Sequence, residues 1–244
     1  MQLITISPFS HLGVIEQPMH LVIAPFLEQN EDYAQFYTET DGYIIVDNGA
    51  YEMGKSCDFG IVIDQAKEIG ASEIVLPDVI MDREKSLELI DEAYHLLSSN
   101  EMKDFKFMCA LQGKDINDVF KYYFDVIHLI AIDVIAFPVW MDRKWGIRAA
   151  LTKYLRPEIY DEYEIHMLGL TRPDQVLTCD PKVRSADSSL AWRLASRGIV
   201  ADYRSLDLSR FDWNMKLTDE KVKIAIKNHE MIQGCMDANV KAGL

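Results

Sequence analysis

Eight short apolar runs, each followed by a longer stretch with helical or loop character, constrain this chain more than any other feature. They are Leu3-Ile4-Thr5-Ile6, Leu21-Val22-Ile23-Ala24, Tyr43-Ile44-Ile45-Val46 and Glu73-Ile74-Val75-Leu76, then Phe107 to Leu111, Val134 to Phe137, Ile165 to Leu168 and Val183 to Ala186. Most are continuous rather than alternating, the pattern of parallel strands buried on both faces. Between them, the spacing predicts helices over 59–69, 82–97, 116–127, 144–154, 173–178 and 189–197. A final helix is expected over 219–236. Asp58 is a suitable N-cap for the first of these, and Gly70 and Gly198 are suitable stops. Strand–helix alternation with right-handed crossovers means a parallel α/β fold. Eight strands in 244 residues favour a (β/α)8 TIM-type barrel over an open doubly wound sheet. A single barrel domain over 1–244 is therefore expected.

Composition narrows the function classes. Hydrophobic residues make up 49% and charged residues 26%, as in ordinary globular chains. No apolar run reaches the roughly 18 residues of a membrane span, and Met1 to Ser7 lacks the basic and apolar regions of a secretory signal. Cys57, Cys109, Cys179 and Cys235 have neither metal-ligand nor disulfide-scaffold spacing and read as buried small hydrophobes. A cytoplasmic protein is expected (the host cytoplasm if phage-encoded), without a membrane partner. The net charge of −14 opposes polynucleotide binding, which needs clustered Lys and Arg. The charge is uneven, however: residues 138–216 carry a net +2 and the remainder −16. Arg143, Lys144 and Arg148 could meet phosphates there, with Trp140, Trp145, Trp192 and Trp213 as a stacking rim. They read equally as helix packing and solvated charge.

Polar residues fall at the C-terminal ends of the apolar runs: Asp47, Asp78, Gln112, Gly169 and Asp187. Barrel enzymes carry their chemistry at those ends. Carboxylates gathered there repel one another and cost desolvation, so a fold alone does not require them. Taken singly, Asp47 and Asp78 also read as turn formers, because Asp47-Asn48-Gly49 is turn-like and Asp78 follows Pro77.

The ordered set resembles the tRNA-guanine transglycosylases. Asp47-Asn48-Gly49-Ala50-Tyr51-Glu52 is similar to their Asp-Ser-Gly-Gly-Phe-Gln motif, and Pro77-Asp78 to their second acidic strand end. Leu111-Gln112-Gly113 resembles their Gln-Gly segment, and His166-Met167-Leu168-Gly169-Leu170 their Leu-Met-Gly-Val-Gly. Arg184 to Ser189 falls where the family carries its nucleophilic aspartate. The order and approximate spacing hold from residue 47 to about 198. The resemblance is closest to the divergent phage and DNA-modification-island proteins that insert 7-deazaguanines.

It implies a pentosyltransferase that exchanges a guanine-type base at C1′ of a (deoxy)nucleotide through a covalent aspartyl intermediate. Asp187 would be the nucleophile and Asp47 an acid/base. Asp78 would accept from the Watson–Crick edge of the base, and the Gln112 carboxamide would donate to O6. Gly49 and Gly169 would line the site. Tyr51 would stack on the base or, on the residue alone, pack in the core.

The family's Cys-x-Cys-x-x-Cys zinc motif is missing, and histidines 11, 20, 95, 128, 166 and 229 have no ligand spacing. No metal and no cofactor are expected, and the zinc subdomain is gone. Ser188-Ser189-Leu190 replaces the family's Pro-Thr-Arg, which disfavours tRNA. The expected partners are a purine or 7-deazapurine base, DNA before tRNA, and a second copy in a homodimer. Two other readings stay open: a glycosidase or transglycosylase acting on free nucleosides or nucleotides, and a non-catalytic base-binding barrel. A sugar-phosphate barrel enzyme would need a late Gly-rich phosphate loop, which is absent.

Overall fold

The structure, a computed structural model, describes residues 1–98 and 100–242. Its strands are β1 (Gln2–Thr5), β2 (Met19–Ile23), β3 (Tyr43–Asp47), β4 (Glu73–Val75), β5 (Lys106–Ala110), β6 (Val134–Pro138), β7 (Glu164–Leu168) and β8 (Ser185–Ser188). They form one parallel sheet in the order β1-β8-β7-β6-β5-β4-β3-β2, with helices between the strands. This is an α/β fold of the (β/α)8 TIM-barrel type. The chain divides into two compact units, Leu21–Ala136 and Met1–His20 with Phe137–Leu244.

In the unit Leu21–Ala136, β3, β4, β5 and β6 pair in register, with Val46 opposite Ile74, Ile74 opposite Phe107 and Met108 opposite Val134. Ile44, Ile45, Ile74, Val75, Phe107 and Met108 are all buried, each contributing roughly 1.5–3 kcal/mol of transfer free energy. The helix Phe59–Glu68 begins where Asp58 accepts hydrogen bonds from the backbone N–H groups of Gly60 and Ile61, as its sequence predicts. It lays Phe59, Val62, Ile63 and Ala66 on the sheet. β4 is short because Pro77 lacks the N–H that a longer ladder would use. Asp78 therefore lies in the loop past the strand, free of ladder geometry.

In the other unit, β8 sits between β1 and β7, with Asp187 opposite Ile4 and Ala186 opposite both Leu3 and Met167. The sequence places this strand at 183–186; it runs two residues later. Val183 N–H closes a turn onto Asp180 O (3.1 Å), and the ladder to β7 starts when Arg184 N–H donates to Ile165 O (2.8 Å). Asp187 is thus a strand residue held by its neighbours, rather than a residue of the following turn. The expected helix over 144–154 is two helices, Trp140–Trp145 and Arg148–Lys153, because Gly146 adopts φ 68° between them. The last helix, Asp219–Ala242, packs on Leu190–Ser196. Its buried Asn228 donates to Ala191 O and Ile199 O and accepts from Ala201 N–H, so the polar residue is satisfied on all sides.

The helices Ala24–Gln29, Glu31–Thr38 and Pro157–Glu162 are not among those predicted from the sequence. Each is eight residues or fewer, too short for apolar periodicity to show.

Candidate functional site

Two groups of strand-end polar residues stand out, one in each unit. In Leu21–Ala136 the group is built on the loops after β3, β4 and β5. Asp47 ends β3, and its Oδ1 accepts from Gly49 N–H (2.7 Å) in a local turn. Gly49 takes φ 73°, and a Cβ there would meet Pro25 Cγ at 2.8 Å, so no other residue fits the turn. Asn48, buried, reaches across to the next strand end, donating to Leu76 O (2.8 Å) and to Asp78 Oδ1 (3.0 Å). The other Asp78 oxygen accepts from Gln112 Nε2. Ser56 clamps the Asp78 backbone, donating from Oγ to Asp78 O (2.6 Å) and accepting from Asp78 N–H (2.9 Å).

Gln112 is oriented in its turn by Met81, whose backbone N–H donates to Gln112 Oε1 (2.8 Å). Met81 holds φ 64°, the left-handed region that a side chain of its size rarely adopts. Such a conformation costs on the order of 1–3 kcal/mol and persists only where the surroundings enforce it. Here Ser86 Oγ accepts from Val79 N–H and donates to Asp82 O, framing the loop on both sides of Met81.

Asp78 is 5% exposed and has only neutral partners. Burial pushes its carboxyl up from 3.8 to about 6, against the opposing effect of the hydrogen bonds from Asn48, Gln112 and Ser56. A carboxylate offers about four lone-pair directions, and two of these are taken. Gln112 Nε2 retains one N–H. The pair can still accept donors at Asp78 and donate once at Gln112.

In the second unit the group surrounds Asp187, which is 4% exposed on β8. Its Oδ1 accepts from Gly169 N–H (2.7 Å) and from His166 Nε2 (3.1 Å). Both hydrogen bonds to the carboxylate among the described residues fall on Oδ1, and none falls on Oδ2. Gly169 takes φ 76° directly after β7, and a Cβ would press on Val139 Cβ at 3.2 Å. The left-handed turn is what aims its N–H at the carboxylate. Leu170 N–H donates to Asp187 O (2.7 Å), fastening the loop to the strand.

Arg148 is a correction to the sequence reading. It is fully buried, so it does not lie on a phosphate-binding surface. Its guanidinium donates to the carbonyls of Phe137, Leu168 and Gly169 and pairs with Asp142 through Nε (2.7 Å). Gln175 joins this knot by donating to Asp142 Oδ2 and accepting from Thr171 N–H. Burial lowers the Arg148 pKa, while the charges of Asp142 and Asp187 oppose that shift. Arg148 thus holds the Leu168–Gly169 peptide from one side while Asp187 engages it from the other.

Arg143 and Lys144 are exposed on Trp140–Trp145. Trp140 and Trp192 are buried and do not form a stacking rim. Trp192 stacks on His11 at 5.2 Å and donates to Ser7 Oγ. Tyr51 is 53% exposed, which removes core packing as its explanation. Cys109 and Cys179 are buried, as expected, whereas Cys57 and Cys235 are partly exposed; all four are free thiols. Among the described residues, no group of three or more His, Cys, Asp or Glu is placed to hold a metal ion, and no helix is long and apolar enough to cross a membrane.

Asn48, Ser56, His166 and Ser185 are the site residues that sequence reasoning missed. His166 carried a readable signal, a polar ring inside the apolar run Ile165 to Leu168. Asn48 and Ser56 carried none, because their roles depend on a strand end about thirty and twenty residues away.

Fold and residues together describe a TIM-type barrel protein with carboxylates and a carboxamide at the C-terminal ends of its strands. No protein-family model matches the chain, and no curated protein matches it.

Proposed function

We propose that this chain is a base-exchange transglycosylase, a pentosyltransferase that replaces a guanine-type base with a 7-deazaguanine at C1′ of a (deoxy)nucleotide. The observation that carries the reading is Asp187: two donors hold one carboxylate oxygen while the other is unengaged. A nucleophilic carboxylate needs that arrangement, one oxygen fixing direction and the other left to react. In the proposed step Oδ2 attacks C1′, the C1′–N9 bond breaks, and its electron pair leaves with the base, which takes up a proton. The entering base then attacks C1′ through its own N9, loses a proton, and releases Asp187 from the ester. Asp47 is assigned the proton transfers.

Base recognition is assigned to Asp78 and Gln112. Their remaining capacity, acceptors on one and a single donor on the other, matches the N1–H, exocyclic amine and O6 of a guanine-type edge. Tyr51 is assigned to stacking and Gly49 to the backbone turn beside it. Arg143 and Lys144 remain candidates for phosphate contact; Arg148 does not. DNA is the preferred polymer.

A second reading is favoured by the net charge of −14, which repels polyphosphate: the acceptor is a free nucleoside or nucleotide, exchanged or hydrolysed by the same Asp187.

The test is incubation with labelled guanine or a labelled 7-deazaguanine and, separately, DNA, tRNA and nucleosides. Label entering DNA supports the first reading and label entering nucleosides the second. A glycosyl adduct trapped by denaturation should map to Asp187. Adduct on another residue, or no glycosidic chemistry with any acceptor, rejects the assignment and leaves a base-binding barrel.

A further inference from the structure

Behind Asp187 runs a chain of side-chain hydrogen bonds that can be assigned proton by proton. Arg184 Nε–H donates to Ser185 Oγ (3.1 Å). An arginine can only donate, so the serine oxygen must accept there. The Ser185 hydroxyl proton is then available for His166 Nδ1, 2.8 Å away. If Nδ1 accepts, the ring proton belongs on Nε2, which donates to Asp187 Oδ1 (3.1 Å). A proton on Nδ1, in the reverse tautomer or in the imidazolium, would leave the serine proton without an acceptor, and the reverse tautomer would also turn a nitrogen lone pair against a carboxylate oxygen. Ser185 and His166 are both fully buried, so water offers neither an alternative partner. Arg184 is fixed at the outer end by Glu164, 2.7 Å from its Nη1.

We infer that His166 is a positioning residue for Asp187, locked as the Nε2–H tautomer by Ser185 and Arg184. This rests on the reading of Asp187 as the attacking carboxylate. His166 does not itself touch the substrate, because it is buried and both ring nitrogens are engaged. Its task is directional. With Gly169 N–H it places two donors on Oδ1, which fixes the carboxylate plane and leaves Oδ2 as the reacting oxygen. His166 and Ser185 lie on β7 and β8, with Arg184 immediately before β8, so the inner part of the relay sits on the sheet rather than in a loop, where small displacements are hardest.

Long-range proton–nitrogen NMR of the full-length chain with 15N-labelled histidine reads the tautomer directly. The unmodified protein should show His166 protonated on Nε2. Ser185→Ala should release the constraint, so that an Nδ1–H population appears. In the exchange assay the same variant should lose about tenfold to hundredfold in kcat, the scale of one hydrogen bond to a charged group, while KM stays within about twofold. His166→Gln keeps a donor at the reach of Nε2 and should retain most of kcat, whereas His166→Leu should not. That pair supplies the test if Ser185→Ala does not fold.

An Nδ1–H tautomer in the unmodified protein overturns the inference while leaving the Asp187 reading intact. So does an unchanged kcat in Ser185→Ala, or equal losses in His166→Gln and His166→Leu. Full turnover by Asp187→Asn, or no exchange with any acceptor, defeats the Asp187 reading itself and the positioning role with it.

Discussion

Asp78 and Asp187 are buried almost equally, at 5% and 4% exposure, yet their surroundings have little in common. Asp78 is met by two carboxamides, one on each oxygen, and no cation is among its hydrogen-bond partners. Asp187 receives a backbone N–H and a histidine on one oxygen, and its charge is felt by the buried guanidinium of Arg148. The contrast teaches that partner chemistry, rather than depth, decides what a buried carboxyl can do. Neutral partners that occupy both oxygens suit recognition through a group that titrates near neutrality. Donors concentrated on one oxygen suit attack by the other.

The strongest way to break this comparison is to mutate both aspartates to asparagine. Asp187→Asn should cut exchange by about three to four orders of magnitude while base affinity stays within a few-fold, because the attacking oxygen is lost and the shape is kept. Asp78→Asn should instead weaken base binding by about tenfold to hundredfold, the cost of facing a donor with a donor. Equilibrium dialysis with labelled base and single-turnover kinetics separate the two. Identical profiles would erase the distinction between the groups.

Next in size is Arg148→Met, which strands Asp142 and three backbone carbonyls. Urea unfolding should register a loss of about 3–5 kcal/mol, the range for breaking one side of a buried pair. A loss below about 1 kcal/mol would mean that water or Gln175 takes over the hydrogen bonds of the guanidinium.

The pH behaviour of Asp78 sharpens the comparison further. Its folded midpoint of about 6 lies above the usual 3.8, so folding favours the protonated form. The associated stability is fully present below about 3.8 and is lost as pH rises through about 6. Relative to Asp78→Asn, the unmodified protein should lose about 2 kcal/mol between pH 4 and pH 7. Base binding should run the other way, strengthening as pH rises through about 6 and the carboxylate gains its acceptor. A flat difference between the two proteins would mean that the neutral partners compensate the burial.

The smallest effect concerns the exposed cations. Reversing Arg143 and Lys144 should weaken low-salt DNA binding and flatten its salt dependence, by about one unit of slope for each phosphate left without its cation. Nucleoside exchange should be unaffected. If DNA binding is absent at low salt, the small-molecule reading gains.

Strand positions were legible because continuous burial on both faces leaves an apolar run in the sequence, and six of the eight runs match their strands to within one residue at each end. The eighth was misplaced because Val183 looks like a strand residue but closes a turn on Asp180, a matter of backbone bonding that composition does not carry. Strand-end polar residues were legible for the same reason as the strands: a charged residue ending an apolar run is conspicuous. Their partners were not. Arg148 reads as a helix-face cation, and only the carbonyls of two strand ends and the Asp142 carboxylate turn it inward. Gln112 was visible, but the Met81 backbone that orients it was not, since no residue type announces a left-handed methionine.

That methionine has a consequence for selectivity. With Met81 N–H occupying Gln112 Oε1, the carboxamide cannot flip to offer its oxygen without stranding a backbone donor. What its nitrogen still offers is therefore one donor, and the second lone pair of Oε1 stays with the oxygen already engaged by Met81. Under the proposed reading, a 6-oxopurine finds a partner there and a 6-aminopurine meets donor with donor. The discrimination between the two would then be written in a strained peptide three residues beyond Asp78, rather than in any side chain that touches the base.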